Sequence, residues 1–257
     1  MLFNMANKIK YCNPVCFVLL VFLLSACKKS NSYPEGSTSL VIVNAVPGSK
    51  PLRPDFTGGQ NPLFIYSRSM SYADVNKTNN FFLGYKGEQH IKLYQYPDTT
   101  AKDQPLFDLR FDIPPGSMQT LFLTGTIAAP ETIRRSETFP GIRWEDSAMA
   151  VRFIHLSPGS DAVTVNLKGS AGNIVNGLAY RQISEFRQYV VEATTEDYVF
   201  EIRDAVSGNL ITSYTFLKTA GSNRYRRNYY TVAFAGLPGE TGPLARRAFL
   251  VSHASWN

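Results

Sequence analysis

Along much of the chain, apolar and polar residues alternate singly. Phe107, Leu109, Phe111 and Ile113 are separated by Asp108, Arg110 and Asp112, a period of two that gives an extended strand one apolar face. Val163, Val165 and Leu167 alternate with Thr164 and Asn166. Tyr198, Phe200 and Ile202 flank Val199 and Glu201, and Tyr230, Val232 and Phe234 repeat the pattern. Ser207-Gly208-Asn209 divides two such runs and reads as a hairpin turn, while the corresponding connection earlier in the chain, Pro97 to Pro105, is longer. No stretch of a dozen residues keeps an apolar 3.6 period between caps, so the chain is predicted to be all-β.

The pattern is also written twice. Val43-Asn44-Ala45-Val46-Pro47-Gly48-Ser49 matches Ile154-His155-Leu156-Ser157-Pro158-Gly159-Ser160 at an offset of 111, and Leu121-Phe122-Leu123-Thr124-Gly125 matches Val232-Ala233-Phe234-Ala235-Gly236 at the same offset. A third pairing, Ile133-Arg134-Arg135 with Ala245-Arg246-Arg247, falls at 112. A shared offset over separate anchors is the mark of an internal duplication. About 110 residues per copy, with short strands and turns at short intervals, predict two tandem immunoglobulin-like β-sandwich domains with separate cores. The predicted boundaries are 38–140 and 149–257, joined by a connector at 141–148 that overlaps the connector-like segment Phe139 to Ser147.

The start of the chain follows another pattern. Lys8 and Lys10 precede ten apolar residues, Val15 to Leu24, too few for a spanning helix and suited to the core of a signal peptide. The run ends Leu24-Ser25-Ala26-Cys27, which resembles a bacterial lipoprotein signal. That resemblance implies cleavage after residue 26 and a lipid anchor on Cys27. Residues 27–37, polar and turn-rich, read as a flexible tether. Cys12, Cys16 and Cys27 are the three cysteines, so the body after them has neither a disulfide nor a Cys-ligated metal and must be held by packing.

Composition adds limits. The chain has 257 residues, is 44% hydrophobic, 13% aromatic and 18% charged, and carries a formal net charge of +6. Those fractions exclude a disordered or collagen-like chain. The basic residues are dispersed apart from short Arg pairs, without the clustered face that a nucleic-acid partner requires.

The string Val151-Arg152-Phe153-Ile154-His155-Leu156-Ser157-Pro158-Gly159-Ser160-Asp161-Ala162-Val163-Thr164-Val165 is similar to the opening of domain-of-unknown-function family 4397. Gly177-Leu178-Ala179-Tyr180 and Tyr229-Tyr230-Thr231-Val232-Ala233 resemble its later landmarks. The resemblance covers 149–257 well and 38–140 more loosely, with Asn44 in place of the family's His and Tyr66 to Tyr72 approximating the Leu-Ala-Tyr landmark. It implies tandem sandwiches in exported, often lipid-anchored envelope proteins typical of Bacteroidota, and no established activity or cofactor.

Candidate chemistry is sparse. His90, His155 and His253 stand at no short metal-ligand spacing. His155 is matched by Asn44, which cannot act as a general base, so both are expected to bond a neighbouring backbone group and fix the Pro-Gly turn that follows. No Gly-x-Ser-x-Gly elbow, phosphate loop or His-Glu-x-x-His motif occurs. The carboxylate pairs Glu145/Asp146 and Glu196/Asp197 are adjacent in sequence, unlike the facing pair of a glycosidase. Candidate ligand-binding residues are Trp144, Trp256, Arg224 and Tyr225. Trp144 reads either as a plug at the seam between the modules or as an exposed stacking platform. The run Arg224 to Tyr230 reads as a cationic aromatic patch or as strand and core. Lys50 to Pro62, with three Pro and two Gly, reads as the least regular loop of the first copy.

The expectation is therefore a non-catalytic, lipid-anchored outer-membrane protein of the cell envelope, on its periplasmic or cell-surface face. It would use no cofactor and no catalytic or metal-ligating residue, and would bind an envelope protein or a glycan but not nucleic acid. A carbohydrate-active enzyme and a structural spacer are the alternatives. Lys28 and Lys29 follow the lipid Cys where surface-exported lipoproteins of this bacterial group carry acidic residues.

Overall fold

The computed structural model describes residues 37–59, 68–74, 80–85, 87–98, 102–192, 196–217 and 224–253. The expected signal peptide, Cys27 and the expected tether up to residue 36 lie outside the described residues, as does Trp256. Among the described residues the regular structure is strand, with a 3-10 turn at Gly242–Leu244. In chain order the strands are β1 (Ser37–Asn44), β2 (Leu52–Asp55), β3 (Phe81–Tyr85), β4 (Gly87–Gln95), β5 (Phe107–Ile113), β6 (Met118–Gly125), β7 (Pro130–Ser136), β8 (Ala148–Leu156), β9 (Val163–Leu167), β10 (Val175–Leu178), β11 (Arg187–Val190), β12 (Tyr198–Asp204), β13 (Leu210–Phe216), β14 (Tyr229–Ala235) and β15 (Arg247–His253). Where one face meets water, the alternation predicts burial residue by residue. In β5, Phe107 and Ile113 are buried while Asp108, Arg110 and Asp112 are exposed.

The strands form four sheets, ordered β3-β1-β6-β7 and β2-β4-β5 in the first half, β11-β8-β14-β15 and β10-β9-β12-β13 in the second. The two four-stranded sheets that share one order carry the duplication at the level of register. Ser39 lies opposite Met118 across β1 and β6, and Ala150 lies opposite Tyr229 across β8 and β14, each residue displaced from its counterpart by 111. Both of these pairs are parallel, a feature that a sandwich of antiparallel sheets does not have.

The third sequence anchor fails. Arg134 faces Leu121, whereas Val232, the counterpart of Leu121, faces Leu250. Leu250 and not Arg246 therefore occupies the place of Arg134. The longer β14–β15 connection, which contains the 3-10 turn, displaces the Arg pair. The supposed irregular loop at Lys50 contains β2, paired with β4 so that Pro54 lies opposite Leu93. Pro54 is tolerated because β2 is an edge strand, where a missing N–H donor costs no ladder bond.

Three apolar clusters separate these sheets. Leu40, Ile42 and Leu121 pack with Leu52, Ile91 and Phe107 inside the first sandwich. Phe153, Val232 and Phe234 pack with Val165, Phe200 and Phe216 inside the second. Between the two inner sheets lies a third cluster that the two-core expectation lacks, made of Val41, Val43 and Phe122 against Ile154, Leu156, Ala233 and Val251. Alternate residues of β1 thus face different cores, so both faces of the inner sheets are dry. For this reason β1, β6, β8 and β14 read as nearly continuous apolar runs.

A polar seam borders the third cluster. Arg152 donates from Nη2 to Glu137 Oε1 at 2.6 Å and from Nε to Thr231 Oγ1 at 2.9 Å. His253 contacts the same hydroxyl through Nε2 at 2.7 Å. Phe139, from the connector, packs its ring 4.5 Å from Tyr229 and 5.7 Å from His253. His253 is thus a bonded, buried group of β15, in contact with Thr120 of β6 as well as Thr231 of β14. His90 lies in β4 with Nε2 2.6 Å from Asp108 Oδ1 on the neighbouring strand.

The paired turns behave as the Asn44/His155 match predicts. Asn44 Oδ1 accepts the Val46 N–H at 3.1 Å, and His155 Nδ1 accepts the Ser157 N–H at 3.2 Å. That assigns the His155 proton to Nε2, which donates to the Asp161 carbonyl at 3.0 Å. Gly48 and Gly159, at φ 77 and 74, take the left-handed position that each Pro-Gly turn requires.

Candidate ligand-binding edge of the second sandwich

The connector forms a tight turn on the second sandwich. The Asp146 N–H donates to the Arg143 carbonyl at 3.0 Å, and the Arg143 N–H donates to the Asp146 carboxylate at 3.0 Å. That backbone bond, with the Arg143 guanidinium, holds the Asp146 carboxyl below its ordinary range. Arg226 clamps the turn from below, donating to the carbonyls of Glu145 and Asp146 at 3.1 and 3.2 Å. Tyr229 donates its hydroxyl to Pro140 at 2.9 Å, and the Gln188 amide donates to Gly141 at 3.0 Å.

Trp144 is the second residue of this turn and is 74% exposed. The Arg227 guanidinium lies 3.5 Å from its ring centroid, within the range of a cation–π contact. Arg227 has φ 56, a left-handed conformation that costs a non-glycine residue about 1–3 kcal/mol and is concentrated at functional sites. Its N–H donates to the Ala148 carbonyl at 2.7 Å, which fixes where the side chain leaves the backbone.

Beside the connector, a cavity of about 360 Å³ opens between the β9–β10 turn (170–174) and Arg187, Gln188 and Tyr189 of β11. β11 is the outer strand of its sheet. The Tyr189 ring stands edge-on to Tyr198 and Phe200 at 5.4 and 5.1 Å. Burial pushes the Tyr189 hydroxyl up to about 12, so it remains a proton donor at neutral pH. Among the described residues no group of His, Cys, Asp and Glu is arranged to hold a metal ion.

The sequence candidates separate. Trp144 is exposed, which overturns the plug reading; Phe139 fills the seam because its ring, five residues earlier, meets Tyr229, Phe186 and His253. Tyr225 is 7% exposed, with its ring edge-on to Phe216 and Tyr230, so it belongs to the core and offers no face to a ligand. Arg224 remains exposed above it, 4.6 Å from its ring centroid. Trp256 and Cys27 lie outside the described residues. Sequence reasoning passed over Arg227, Arg187 and Tyr189. Arg227 falls inside the Arg224–Tyr230 run, but nothing in the four-residue strand around Arg187 and Tyr189 distinguishes it from any other edge.

No family model and no curated protein matches the chain. The solved structures that resemble it distantly include the following three. An alpha-glucan-binding streptococcal virulence factor is 10% identical, over 79% of this chain and 92% of that one, with a TM-score of 0.23. A putative polysaccharide-binding protein of domain-of-unknown-function family 1812 from Bacteroides thetaiotaomicron is 10% identical over 81% and 94%, at 0.23. A putative adhesin from Bacteroides ovatus is 10% identical over 88% and 98%, at 0.25. The chain is all-β, built of sandwich-like domains.

Proposed function

We propose that this chain is a non-catalytic, lipid-anchored protein of a Gram-negative cell envelope, of the kind family 4397 describes, that displays its sandwiches to bind a glycan. The anchor rests on the Leu24-Ser25-Ala26-Cys27 signal and the tether after it. The observation that carries the binding reading is the exposed Trp144 ring on a clamped turn, backed by Arg227. An indole held this way loses little conformational freedom on binding and offers an apolar face to the C–H side of a sugar ring.

Trp144→Ala should weaken binding to a glycan identified on an array of neutral and acidic saccharides by tenfold or more, with the melting temperature unchanged. Equal binding by the variant would refute the site. Selective recovery of one envelope protein in a detergent pull-down that Trp144→Ala abolishes would replace the glycan with a protein partner. For the anchor, Cys27→Ser should abolish incorporation of radiolabelled palmitate and release the protein from the membrane fraction.

A further inference from the structure

Trp144 and the point where the chain enters the body lie at the same end of the molecule. Thr120, near the start of β6, stands 3.4 Å from His253, which lies opposite Tyr229 at the start of β14. Thr124, near the end of β6, donates to the Leu156 carbonyl at the end of β8, 3.0 Å away. The inner strands of the two facing sheets therefore run the same way. β1 is parallel to β6 and β8 to β14, so Ser37, Met118, Ala148 and Tyr229 mark one end. The connector turn hangs from that end, because Arg227, whose guanidinium lies against the Trp144 ring, donates its N–H to the Ala148 carbonyl.

The chain from Cys27 joins the body at Ser37. Ten residues of chain reach at most about 35 Å. A nine-residue strand such as β8 is about 30 Å long, so the opposite end of the body lies that much farther from the point of entry. The near end also carries the side chains that a bilayer surface takes up. The Trp144 ring is 74% exposed, and Val190, paired with Ala148, is 48% exposed. Arg224, whose carbonyl accepts the Tyr230 hydroxyl at 3.3 Å, is exposed at this end too. An indole, an aliphatic side chain and a guanidinium together suit a membrane–water interface, where the ring sits at head-group level and the cation meets anionic lipid.

We infer that the Trp144 turn docks on the surface of the bilayer that holds the Cys27 anchor, with the indole and Val190 at head-group level. This docking rests on the anchor proposed above. It goes beyond the glycan reading and neither needs nor excludes it, since saccharides borne on that membrane lie at the same level.

The test reads tryptophan fluorescence of the full-length, lipidated protein in vesicles of phosphatidylethanolamine and phosphatidylglycerol. Trp256→Phe leaves Trp144 as the sole tryptophan of the chain. Lipids brominated on the acyl chains close to the head group should quench at least half of its emission. Acrylamide should reach the ring threefold or more less readily than in the unlipidated Cys27→Ser protein. A companion protein, with Trp144→Phe and Val206→Trp added, moves the ring to the opposite end. Val206 is 92% exposed there, on the β12–β13 turn, where Ala205 donates to the Ala162 carbonyl at 3.1 Å. That ring should escape the brominated lipid and stay open to acrylamide. Equal quenching at the two ends overturns the inference, because the body then turns no particular face to the lipid. Shielding of Trp144 in the Cys27→Ser protein as well overturns it in favour of a second copy of the chain. A Cys27 without lipid overturns docking and anchor together, whereas a Trp144 ring open to acrylamide in vesicles overturns the docking alone. Saccharide binding by the ring stands or falls on its own assay in either case.

Discussion

Removing the charge of Glu137 tests how the two inner sheets are joined. Glu137 follows β7 and Arg152 lies in β8, so their 2.6 Å contact links the halves of the body beside the third apolar cluster. The two side chains are only 1% and 8% exposed. Removing one partner of a buried pair leaves an uncompensated charge, which costs about 3–5 kcal/mol. In a body of this size about 1 kcal/mol moves the melting temperature by about 2–4 °C, so Glu137→Gln should melt about 6–20 °C below wild type. Burial raises the Glu137 carboxyl, but the Arg152 hydrogen bond and charge outweigh it and hold it below 4.5. The unfolded chain takes up that proton first, so the contribution is complete above about pH 4.5 and is lost as the pH falls below it. Replacing both residues with Met should recover most of the loss, because two apolar side chains leave no charge to desolvate. Urea unfolding followed by circular dichroism measures each corner of the cycle. A Glu137→Gln loss under about 1 kcal/mol, or a double variant whose loss equals the sum of the singles, would refute the reasoning.

Other outcomes follow from the turns and the aromatic edge. Burial holds His155 below 6.5 and hence neutral. The unfolded histidine gains its proton at higher pH than the folded one, so its contribution is complete above 6.5 and falls with decreasing pH, by at most about 1.4 kcal/mol per unit. Melting curves between pH 7.5 and 5.5 should show a shallower decline in His155→Asn. That variant should also be more stable than His155→Ala, since a carboxamide oxygen already serves this turn at Asn44. Gly236 has φ 111, and a Cβ there would lie 2.4 Å from the Ala245 carbonyl oxygen. Gly236→Ala should therefore cost about 1–3 kcal/mol more than Gly208→Ala, where the φ is also positive but nothing lies within 4 Å. Equal denaturation midpoints for the two would contradict the close approach.

The strands that sequence located best are the outer ones. In β5, β9 and β12 one face is wet, so the period of two records which side is dry. In the inner strands the period, where it occurs, does not report burial: Tyr230, Val232 and Phe234 alternate in β14, yet both its faces are dry. In β14 Thr231 and Ala233 are as buried as Tyr230 and Val232, and alternation cannot say that a second sheet covers the other face. The Trp144 turn was legible as a connector and its tryptophan as a candidate. Whether that ring was plug or platform depended on Phe139 reaching the seam first. The aromatic run at Arg224 was legible as a whole, but its division was not, since Tyr225 turns into the core while Arg227 turns under the indole.

The amino-acid order alone determined the duplication, the all-β character, and the Pro-Gly turns with their Asn44 and His155 acceptors. These are local or periodic properties, set by backbone preference and by which side of a strand is apolar. Tertiary structure decided the parallel pairing of β1 with β6 and of β8 with β14, the third core, the Glu137–Arg152 seam and the company kept by Trp144. Each of these joins residues distant in sequence, and such a contact forms only where the assembled sheets exclude water from both partners.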